Sequence, residues 1–423
     1  TCNDGFYPSA IGACSRCPAG SFCVDGAKIA CSTGSDSPIG SSTKTACACI
    51  PGFVGPDGGP CTSCQAGSYK EGSGNGVCSA CPAGTFLPTA GGLSMSQCLA
   101  CPAKTNSSQG ASSITHCTCL AGYAGQAGAI CRACVPGTYK ASAGAGLCDN
   151  CPAGTWSHES AATAQSICTS CPTHSDSAAG SASQDDCICD PGYSGGDGGP
   201  CQACDAGTFK TSKGTSACTK CPADTFSESS AASSPSTCLD CPAHSQAAAG
   251  SDTESDCRCK AGYSGPDGGP CEICTAGSYK EAVGSAACSS CPVDTFLASE
   301  GAVSRGACTA CPANSHAPAG STDSWNCKCD AGYTGPDGGM CRVCAAGTYK
   351  MEDGSGTCTE CPAGTFSGEL GASSDVACLQ CPAHSRSAAG AVDVEDCVCE
   401  TGFFRTAPGG ACMPCETSSW CAG

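Results

Sequence analysis

The sequence predicts a protein of small disulfide-rich repeats, arranged as an elongated, solenoid-like rod of short two-stranded β pieces and turns with little helix. Cysteine accounts for 50 of the 423 residues, which exceeds the roughly 8–10% that marks a disulfide scaffold. Glycine (58 residues) and proline (27 residues) make turns frequent, whereas aromatic residues reach only 5%. No stretch shows the sustained apolar periodicity of a helix. The cysteines also recur with a fixed period, which is typical of a repeat protein.

Composition and charge exclude several classes of protein. An ordinary globular enzyme of this length needs a thick apolar core, and a coiled coil needs heptads rich in leucine and charged residues. The formal net charge of −18 argues against nucleic acid as a partner. The chain has no run of apolar residues long enough to cross a bilayer, so we predict no direct membrane span. It opens with Thr1 and Cys2 without an apolar secretion signal, and we expect a processed mature form or a fragment.

The cysteines define six repeats. Cys61, Cys131, Cys201, Cys271 and Cys341 follow one another at intervals of 70 residues, and each period carries the same ladder of eight cysteines. Two-residue linkers between repeats are too short for free swinging, so a regular rod is expected. The predicted domains are an atypical repeat 1 at 1–63, then repeats 2 to 6 at 64–133, 134–203, 204–273, 274–343 and 344–414, and a truncated C-terminal cap at 415–423.

Each regular repeat divides into four loops with a cysteine at each end. An even number of cysteines per repeat fits closure within the repeat, and the simplest scheme joins neighbours. Eight cysteines allow 105 connectivities, and an interlocked pattern within the middle four cysteines is the main alternative. For repeats 2 and 3 the neighbour scheme predicts Cys64–Cys78, Cys81–Cys98, Cys101–Cys117, Cys119–Cys131, Cys134–Cys148, Cys151–Cys168, Cys171–Cys187 and Cys189–Cys201.

The irregular ends of the chain offer two further pairs. In repeat 1 the second loop shortens to Cys17–Cys23, and the closing cysteine has moved with its loop, as expected if the two are bonded. Cys415 and Cys421 repeat this spacing, again with an aromatic residue before the second cysteine. We interpret the pair Cys415–Cys421 as a sealed loop that caps the last repeat. A bond to another molecule is the alternative.

Disulfides are predicted to contribute more to stability than the apolar core. A regular repeat contains about three large aromatic residues, and burying each contributes roughly 1.5–3 kcal/mol. A crosslink that closes about 15 residues contributes roughly 3 kcal/mol in the chain-entropy model, and each repeat has four. We therefore expect oxidised crosslinks to hold each repeat together.

One recurring segment resembles a known family. Cys358 to Ser367 reads Cys-x-x-Cys-Pro-Ala-Gly-Thr-Phe-Ser, and Gly-Ala-Ser-Ser and another Cys-x-x-Cys-Pro follow it. This pattern resembles the ephrin-receptor-like (GCC2/GCC3) cysteine-rich repeat, a relative of the tumour-necrosis-factor-receptor repeat. Such modules occur in receptor ectodomains and in surface and fibrous proteins of many protists. The resemblance thus implies an extracellular protein, secreted or at the cell surface.

The fourth loop of each repeat carries a second resemblance. The stretch from Cys187 to Cys201 is similar to the end of an EGF-like domain, whose last two cysteines bond to each other. This similarity supports the pair Cys189–Cys201. The paired acids of the EGF calcium signature are absent, so the resemblance implies no calcium site of that kind.

The recurring cysteines and aspartates have simpler interpretations than metal binding, and we predict no metal site and no cofactor. Four cysteines have the spacing of a zinc ribbon. Zinc binding would need free thiolates in a reducing compartment, so disulfides are favoured. That spacing occurs at Cys78, Cys81, Cys98 and Cys101. An aspartate recurs at one turn position, where a bond to its own backbone is the favoured role and calcium is a weak alternative. It stands at Asp57, Asp197, Asp267 and Asp337.

Other recurring polar residues give no catalytic constellation. A lysine follows the aromatic residue of each first loop, and we expect it to be solvated with its stem over the ring. Periodic salt bridges to acids of a neighbouring chain are the alternative. These lysines are Lys70, Lys140, Lys210, Lys280 and Lys350. His174, His244 and His384 have no partner acid at a fixed offset, so we predict neither catalysis nor metal binding there. Asn106 begins the single Asn-x-Ser/Thr sequon and is predicted to be glycosylated, and Ser/Thr-rich loops could carry O-linked sugars.

The uniform cysteine register leads to a functional hypothesis. Because no regular repeat has an insertion larger than one residue, none has a specialised ligand loop. We predict a structural extracellular protein, not an enzyme, that associates with itself into a filament, a flagellar hair or a cell-surface coat. The alternative is a receptor or adhesin ectodomain in which the repeats form a ligand-binding stalk and repeat 1 is the contact face. Its partners would be other extracellular proteins or glycans.

Overall fold

The computed structural model describes residues 1–416 and consists, as predicted, of small disulfide-rich repeats with short two-stranded β pieces and turns. Its regular structure consists of 24 two-stranded antiparallel sheets and short 3-10 turns of three residues each. Contacts divide the chain into two compact units, Thr1–Ala203 with Ser212–Ala217, and Cys204–Thr211 with the chain from Cys218 onward. Within residues 1–416 no helix has the length and hydropathy that crossing a membrane requires.

Repeat 1 contains four β-hairpins, one for each of its loops. The second hairpin is the longest, with four residues in each strand. The strand pairs are Phe6–Pro8 with Cys14–Arg16, Ser21–Val24 with Ala27–Ala30, Ser35–Asp36 with Ala48–Cys49, and Phe53–Val54 with Thr62–Ser63.

The first two loops of each regular repeat form equivalent hairpins. In the first loop the pairs are Ser68–Tyr69 with Ser79–Ala80, Thr138–Tyr139 with Asp149–Asn150, Thr208–Phe209 with Thr219–Lys220, Ser278–Tyr279 with Ser289–Ser290, and Thr348–Tyr349 with Thr359–Glu360. In the second loop they are Thr85–Phe86 with Leu99–Ala100, Thr155–Trp156 with Thr169–Ser170, Thr225–Phe226 with Leu239–Asp240, Thr295–Phe296 with Thr309–Ala310, and Thr365–Phe366 with Leu379–Gln380.

The third and fourth loops follow the same plan. In the third loop the pairs are Thr105–Asn106 with Thr118–Cys119, Ser175–Asp176 with Ile188–Cys189, Ser245–Gln246 with Arg258–Cys259, Ser315–His316 with Lys328–Cys329, and Ser385–Arg386 with Val398–Cys399. In the fourth they are Tyr123–Ala124 with Arg132–Ala133, Tyr193–Ser194 with Gln202–Ala203, Tyr263–Ser264 with Glu272–Ile273, Tyr333–Thr334 with Arg342–Val343, and Phe403–Arg405 with Cys412–Pro414.

The two-residue linkers between disulfides are themselves β-strands. Arg132–Ala133, which lies between Cys131 and Cys134, pairs with Tyr123–Ala124 of the loop that it has just left. The same arrangement recurs at the other linkers of two residues, so each linker is fixed on both sides by a disulfide and along its length by a hairpin. Each such linker is therefore part of a hairpin and not a free segment.

Short 3-10 turns precede the closing cysteines of many loops. A cysteine follows each such turn directly, and a capping serine, threonine or aspartate precedes several of them. They are Lys44–Ala46, Met95–Gln97, Ile114–His116, Gln165–Ile167, Gln184–Asp186, Pro235–Thr237, Glu254–Asp256, Arg305–Ala307, Ser324–Asn326, Asp375–Ala377 and Val394–Asp396.

Backbone hydrogen bonds join each loop to the next. In repeat 2 the Gly67 N–H donates to the carbonyl of Leu87 in the second loop, and the Leu87 N–H donates to Ala111 in the third. The contacts continue across a predicted repeat boundary, where the Gly122 N–H donates to Lys140 at 2.9 Å. Adjacent loops therefore pack as a continuous series, without a gap in hydrogen bonding at this boundary.

Buried apolar side chains are few, and most of them are cysteines. The largest fully buried side chains are all cysteines, for example Cys17, Cys81 and Cys189. The apolar clusters are small: one groups Phe86, Ala111 and Cys117, and another groups Cys291, Leu297 and Ala302. The buried apolar residues are thus distributed along the chain rather than gathered into one core.

Candidate functional site

Disulfides close every loop of the described repeats between neighbouring cysteines. The structure joins Cys64 to Cys78, Cys81 to Cys98, Cys101 to Cys117 and Cys119 to Cys131 in repeat 2, and the neighbour pairs Cys134–Cys148, Cys151–Cys168, Cys171–Cys187 and Cys189–Cys201 in repeat 3. Cys17 and Cys23 are also bonded. The interlocked alternative is therefore wrong for this structure, and the four thiols with zinc-ribbon spacing all belong to disulfides. The predicted pair Cys415–Cys421 lies outside the described residues.

The cysteine-x-x-glycine opening of the first loop has a steric cause. Gly277 has a φ of +79°, and a Cβ atom on it would lie 2.2 Å from the carbonyl oxygen of Gly320 in the third loop. Gly137 is placed in the same way, 2.1 Å from the carbonyl oxygen of Gly180. Only glycine fits such a left-handed position with so close a neighbour. The third loop therefore packs directly on the first.

The recurring lysine is buried, so the expectation of a solvated lysine is wrong. Its side chain is no more than 7% exposed at any of the five positions. A long aliphatic stem with a charged end is buried only when other groups satisfy the ammonium. The five residues are Lys70, Lys140, Lys210, Lys280 and Lys350.

Backbone carbonyls bind the ammonium group of this lysine. Lys350 Nζ donates to the carbonyl oxygens of Tyr333 at 2.8 Å, Gly354 at 2.6 Å and Cys329 at 3.4 Å. Lys140 Nζ makes the equivalent bonds to Tyr123 at 3.1 Å and Gly144 at 2.5 Å. The lysine therefore joins the fourth loop of one repeat to the first loop of the next. We call this contact the lysine latch.

The turn aspartate lies near the lysine latch. Desolvation lowers the pKa of Lys280, and the negative charge of Asp267 opposes that shift. Asp57, Asp197 and Asp267 are exposed, whereas Asp337 is half-buried. The preference for a turn role over calcium binding at these aspartates stays a prediction.

The three recurring histidines have a structural role in the described fold. Each adopts a left-handed backbone, with φ between 62° and 64°, at a turn where many other loops have glycine. His174 stacks on Tyr193 with a ring-centroid distance of 4.0 Å, and His244 stacks on Tyr263 at 4.3 Å. His384 stacks on Phe403 at 4.1 Å. These rings bind the third loop to the fourth.

An ionic cluster combines two residues of repeat 3 with one residue from the first loop of repeat 4. Lys213 Nζ lies 2.6 Å from Asp176 Oδ2 and 3.8 Å from Asp190 Oδ1. The hydrogen bond from Lys213 lowers the pKa of Asp176, and the same bond raises the pKa of Lys213. All three side chains are more than one-third exposed, so the pairs contribute little to stability. Sequence reasoning missed this cluster because its members lie on three different loops.

A related cluster stands at the equivalent position two repeats later. His316 Nδ1 lies 2.7 Å from Asp330 Oδ1, and His316 Nε2 lies 3.4 Å from Asp353 Oδ2. The hydrogen bond with Asp330 is the main cause of a raised pKa for His316, and the charges of Asp353 and Asp294 add to it. Asp176, Asp190 and Lys213 each lie two repeat lengths before these residues, a periodicity by which the sequence could have revealed the cluster.

Repeat 1 contains a surface cleft with partly apolar walls. The cleft measures about 340 Å³, and Phe22, Ile29, Lys44 and Pro60 contribute to its walls. Asn106, the predicted glycosylation site, is exposed on the short strand Thr105–Asn106 of repeat 2. Its Oδ1 accepts a 3.0 Å hydrogen bond from the Ser107 N–H.

Comparison with curated proteins finds relatives that are far longer than this chain. Cysteine repeat modular protein B of Toxoplasma gondii is 30% identical over 154 residues, which is 36% of this chain and 2% of that protein. Cysteine repeat modular protein A of the same organism is 30% identical over 141 residues, or 32% of this chain and 4% of that protein. Ephrin type-B receptor 1 of Gallus gallus is 59% identical over 39 residues, or 9% of this chain and 4% of the receptor.

A family model described as tyrosine-protein kinase ephrin type A/B receptor-like matches the chain five times. Each match begins in the fourth loop of one predicted repeat and ends with the second loop of the next, so the family's module is out of frame with the predicted boundaries. The matched residues are 52–98, 122–168, 192–238, 262–308 and 332–378. Because these segments together cover more than half of the 423 residues, the chain belongs to the ephrin-receptor-like family of cysteine-rich repeats.

Proposed function

We propose that this chain is a non-enzymatic structural protein of the cell exterior, which associates with copies of itself into a filament, a flagellar hair or a surface coat. The observation that carries the proposal is the recurrence of the same contacts from one repeat to the next. The backbone bond from Gly122 to Lys140 recurs from Gly262 to Lys280 and from Gly332 to Lys350, each at 2.9 Å. Within each of the two compact units, repeats that are joined in the same way present the same surface at regular intervals.

A regularly repeated surface favours association. A contact that forms once between two chains is available again at each repeat, and contacts that do not close on themselves extend into filaments. The family and its disulfides support a location at the cell exterior, since disulfides persist in oxidising environments. The proposal requires no cofactor. A glycan on the exposed side chain of Asn106 would modify this surface in repeat 2 only.

Electron microscopy of the native, oxidised protein tests the proposal. Negatively stained material at high protein concentration is expected to show regular filaments or sheets. The same protein after reduction and alkylation is the control, and it is expected to lose the order. Dispersed single chains in the oxidised sample at high concentration contradict the proposal.

A receptor or adhesin ectodomain is the second candidate function. Repeat 1 supports it because this repeat departs from the common cysteine spacing and contains the cleft with Phe22 and Lys44 in its walls. In this alternative the regular repeats form a stalk, and extracellular proteins or glycans bind at repeat 1. Binding of the labelled full chain to cell surfaces and glycan arrays, compared with a Lys44→Glu variant, separates the two candidates: loss of binding in the variant favours the adhesin.

A further inference from the structure

The cluster of His316, Asp330 and Asp353 combines the side chains of a transition-metal site. His316 ends the strand Ser315–His316, Asp330 follows the strand Lys328–Cys329, and Asp353 belongs to the first loop of repeat 6. One potential ligand atom from each residue lies within 4.8 Å of the others. The three side chains are between 42% and 48% exposed, so an ion in solution can reach them.

Hydrogen bonds orient two members of the cluster. Asp330 Oδ1 lies 2.7 Å from His316 Nδ1, so a proton on Nδ1 is bonded and the lone pair of Nε2 is directed away from Asp330. Asp353 Oδ1 accepts a 3.0 Å hydrogen bond from the Ala331 N–H, which leaves Oδ2 facing His316 Nε2. A carboxylate that bonds the second nitrogen of a histidine is a common way to fix the ring of a metal ligand.

The distance between the two inward-facing atoms suits zinc. Zn–N and Zn–O bonds of about 2.0–2.2 Å in a tetrahedral shell place neighbouring ligand atoms roughly 3.3 Å apart. Nε2 of His316 and Oδ2 of Asp353 are 3.4 Å apart. A nitrogen and carboxylate donor set of this kind suits divalent zinc and its neighbours in the first transition series better than calcium or magnesium.

The equivalent position between repeats 3 and 4 already holds a cation that belongs to the chain. There the ammonium of Lys213 lies beside Asp176 and Asp190. In the later cluster an acid of repeat 6, Asp353, replaces that lysine, so two carboxylates surround an imidazole and a third, Asp294, lies near enough to influence it. Lys328, the cross-strand neighbour of His316, forms no ion pair with the cluster in the part of the chain that the structure describes.

We propose that His316, Asp330 and Asp353 bind a divalent transition-metal ion of the zinc type. Nε2 of His316 and Oδ2 of Asp353 are direct ligands, Asp330 orients the imidazole, and water completes the shell. The ion takes the place that the ammonium group of Lys213 holds in the earlier cluster. Because Asp353 lies in repeat 6 and the other two residues lie in repeat 5, the ion joins two repeats. This site is independent of the proposed assembly.

Zinc titration of the complete, oxidised chain tests the proposal. Isothermal calorimetry near neutral pH, after treatment with a chelator, is expected to show a single zinc ion per chain, and NMR is expected to show a zinc-dependent shift of the His316 ring. His316→Gln and Asp353→Asn are expected to abolish this binding, and Asp330→Asn is expected to weaken it by about 10- to 100-fold. His244→Gln, which removes a stacked histidine in repeat 4, is the matched control and is expected to bind zinc as the wild type does.

A charge-swapped variant keeps the test independent of folding. His316→Asp combined with Asp353→Lys recreates the arrangement of Asp176, Asp190 and Lys213, so the repeat is expected to fold and to bind no zinc. Absence of zinc binding by the wild type at millimolar zinc overturns the proposal. Unchanged binding in His316→Gln or in the charge-swapped variant overturns it as well, because the ion then lies elsewhere.

Discussion

The ammonium group of Lys350 donates a 2.8 Å hydrogen bond to the carbonyl oxygen of Tyr333, which belongs to the preceding repeat. Lys70 and Phe53 show the same relationship at the same distance. The disulfides of the described repeats each close a single loop, so none of them joins one repeat to the next. Disulfides therefore fix the loops, whereas at these two boundaries the lysine latch and backbone hydrogen bonds join one repeat to the next.

Loss of one lysine latch is expected to loosen a single boundary between repeats. Lys350→Met keeps the apolar stem but leaves the carbonyl groups of Tyr333 and Gly354 without the ammonium donor. Hydrogen bonds to charged groups contribute about 1.5–3 kcal/mol, so the Gly332 amide, which bonds to the Lys350 carbonyl, is expected to exchange about 10- to 100-fold faster. Hydrogen exchange measured by NMR checks this. Lys260→Met, at an exposed lysine, is the control, and equal exchange in the two variants contradicts a role for the latch.

Replacing the first-loop glycine of repeat 5 is expected to disrupt folding of that repeat. In Gly277→Ala the left-handed backbone costs about 1–2 kcal/mol, and the new methyl group collides with the Gly320 carbonyl. Gly306→Ala is the matched control, because its φ is not left-handed and the nearest atom to its Cβ is 3.7 Å away. Secreted yield and disulfide mapping of both variants are the measurements. Native yield and pairing in Gly277→Ala would falsify the steric explanation.

The fold could be predicted from the sequence because the features that determine it lie close together in the sequence. Constant spacing between cysteines such as Cys64 and Cys78 sets the length of a loop, and neighbour pairing follows from the shortest closure. The burial of Lys350 was not accessible, because its acceptors come from Tyr333 in another repeat and from a turn whose path the spacing does not define. A lysine after an aromatic residue is ordinarily a surface residue.

The ionic clusters were not predicted, for a different reason. His316 and its two acids are far apart in sequence, and the structure shows that they meet. Charge also changes sign between the repeats at this position, from Lys213 to Asp353. A search for residues of the same chemical type at equivalent positions of the repeats therefore does not find this site.

Complete reduction in a non-denaturing buffer is expected to unfold the loops. The apolar clusters are too small to hold them, and the cluster of Cys291, Leu297 and Ala302 itself depends on a disulfide-bonded cysteine. Each closed loop of about 15 residues contributes roughly 3 kcal/mol through its crosslink. Hydrogen exchange followed by mass spectrometry, before and after reduction and alkylation, is the measurement. Protected amides that survive complete reduction would show that something other than sulfur holds the loops.

Acid is expected to open one 3-10 turn of repeat 4. Asp256 Oδ2 accepts hydrogen bonds from the backbone N–H groups of Thr253 at 3.3 Å and Asp252 at 3.1 Å, and these bonds lower the pKa of Asp256. A folded pKa below the unfolded value means that the carboxylate stabilises the fold fully above the unfolded value of about 3.9. That contribution is lost as the pH falls through the lowered folded pKa. The amide NMR shifts of Asp252 and Thr253 are expected to follow this transition.

The next repeat supplies the control for this acid sensitivity. There Asn326 occupies the equivalent position, and its Oδ1 accepts hydrogen bonds from the N–H groups of Asp323 at 3.0 Å and Thr322 at 3.2 Å. An amide oxygen accepts the same bonds but does not titrate, so Asp256→Asn is expected to keep the turn and lose its response to acid. If the amides of the variant shift with pH as those of the wild type do, a group other than Asp256 controls the turn.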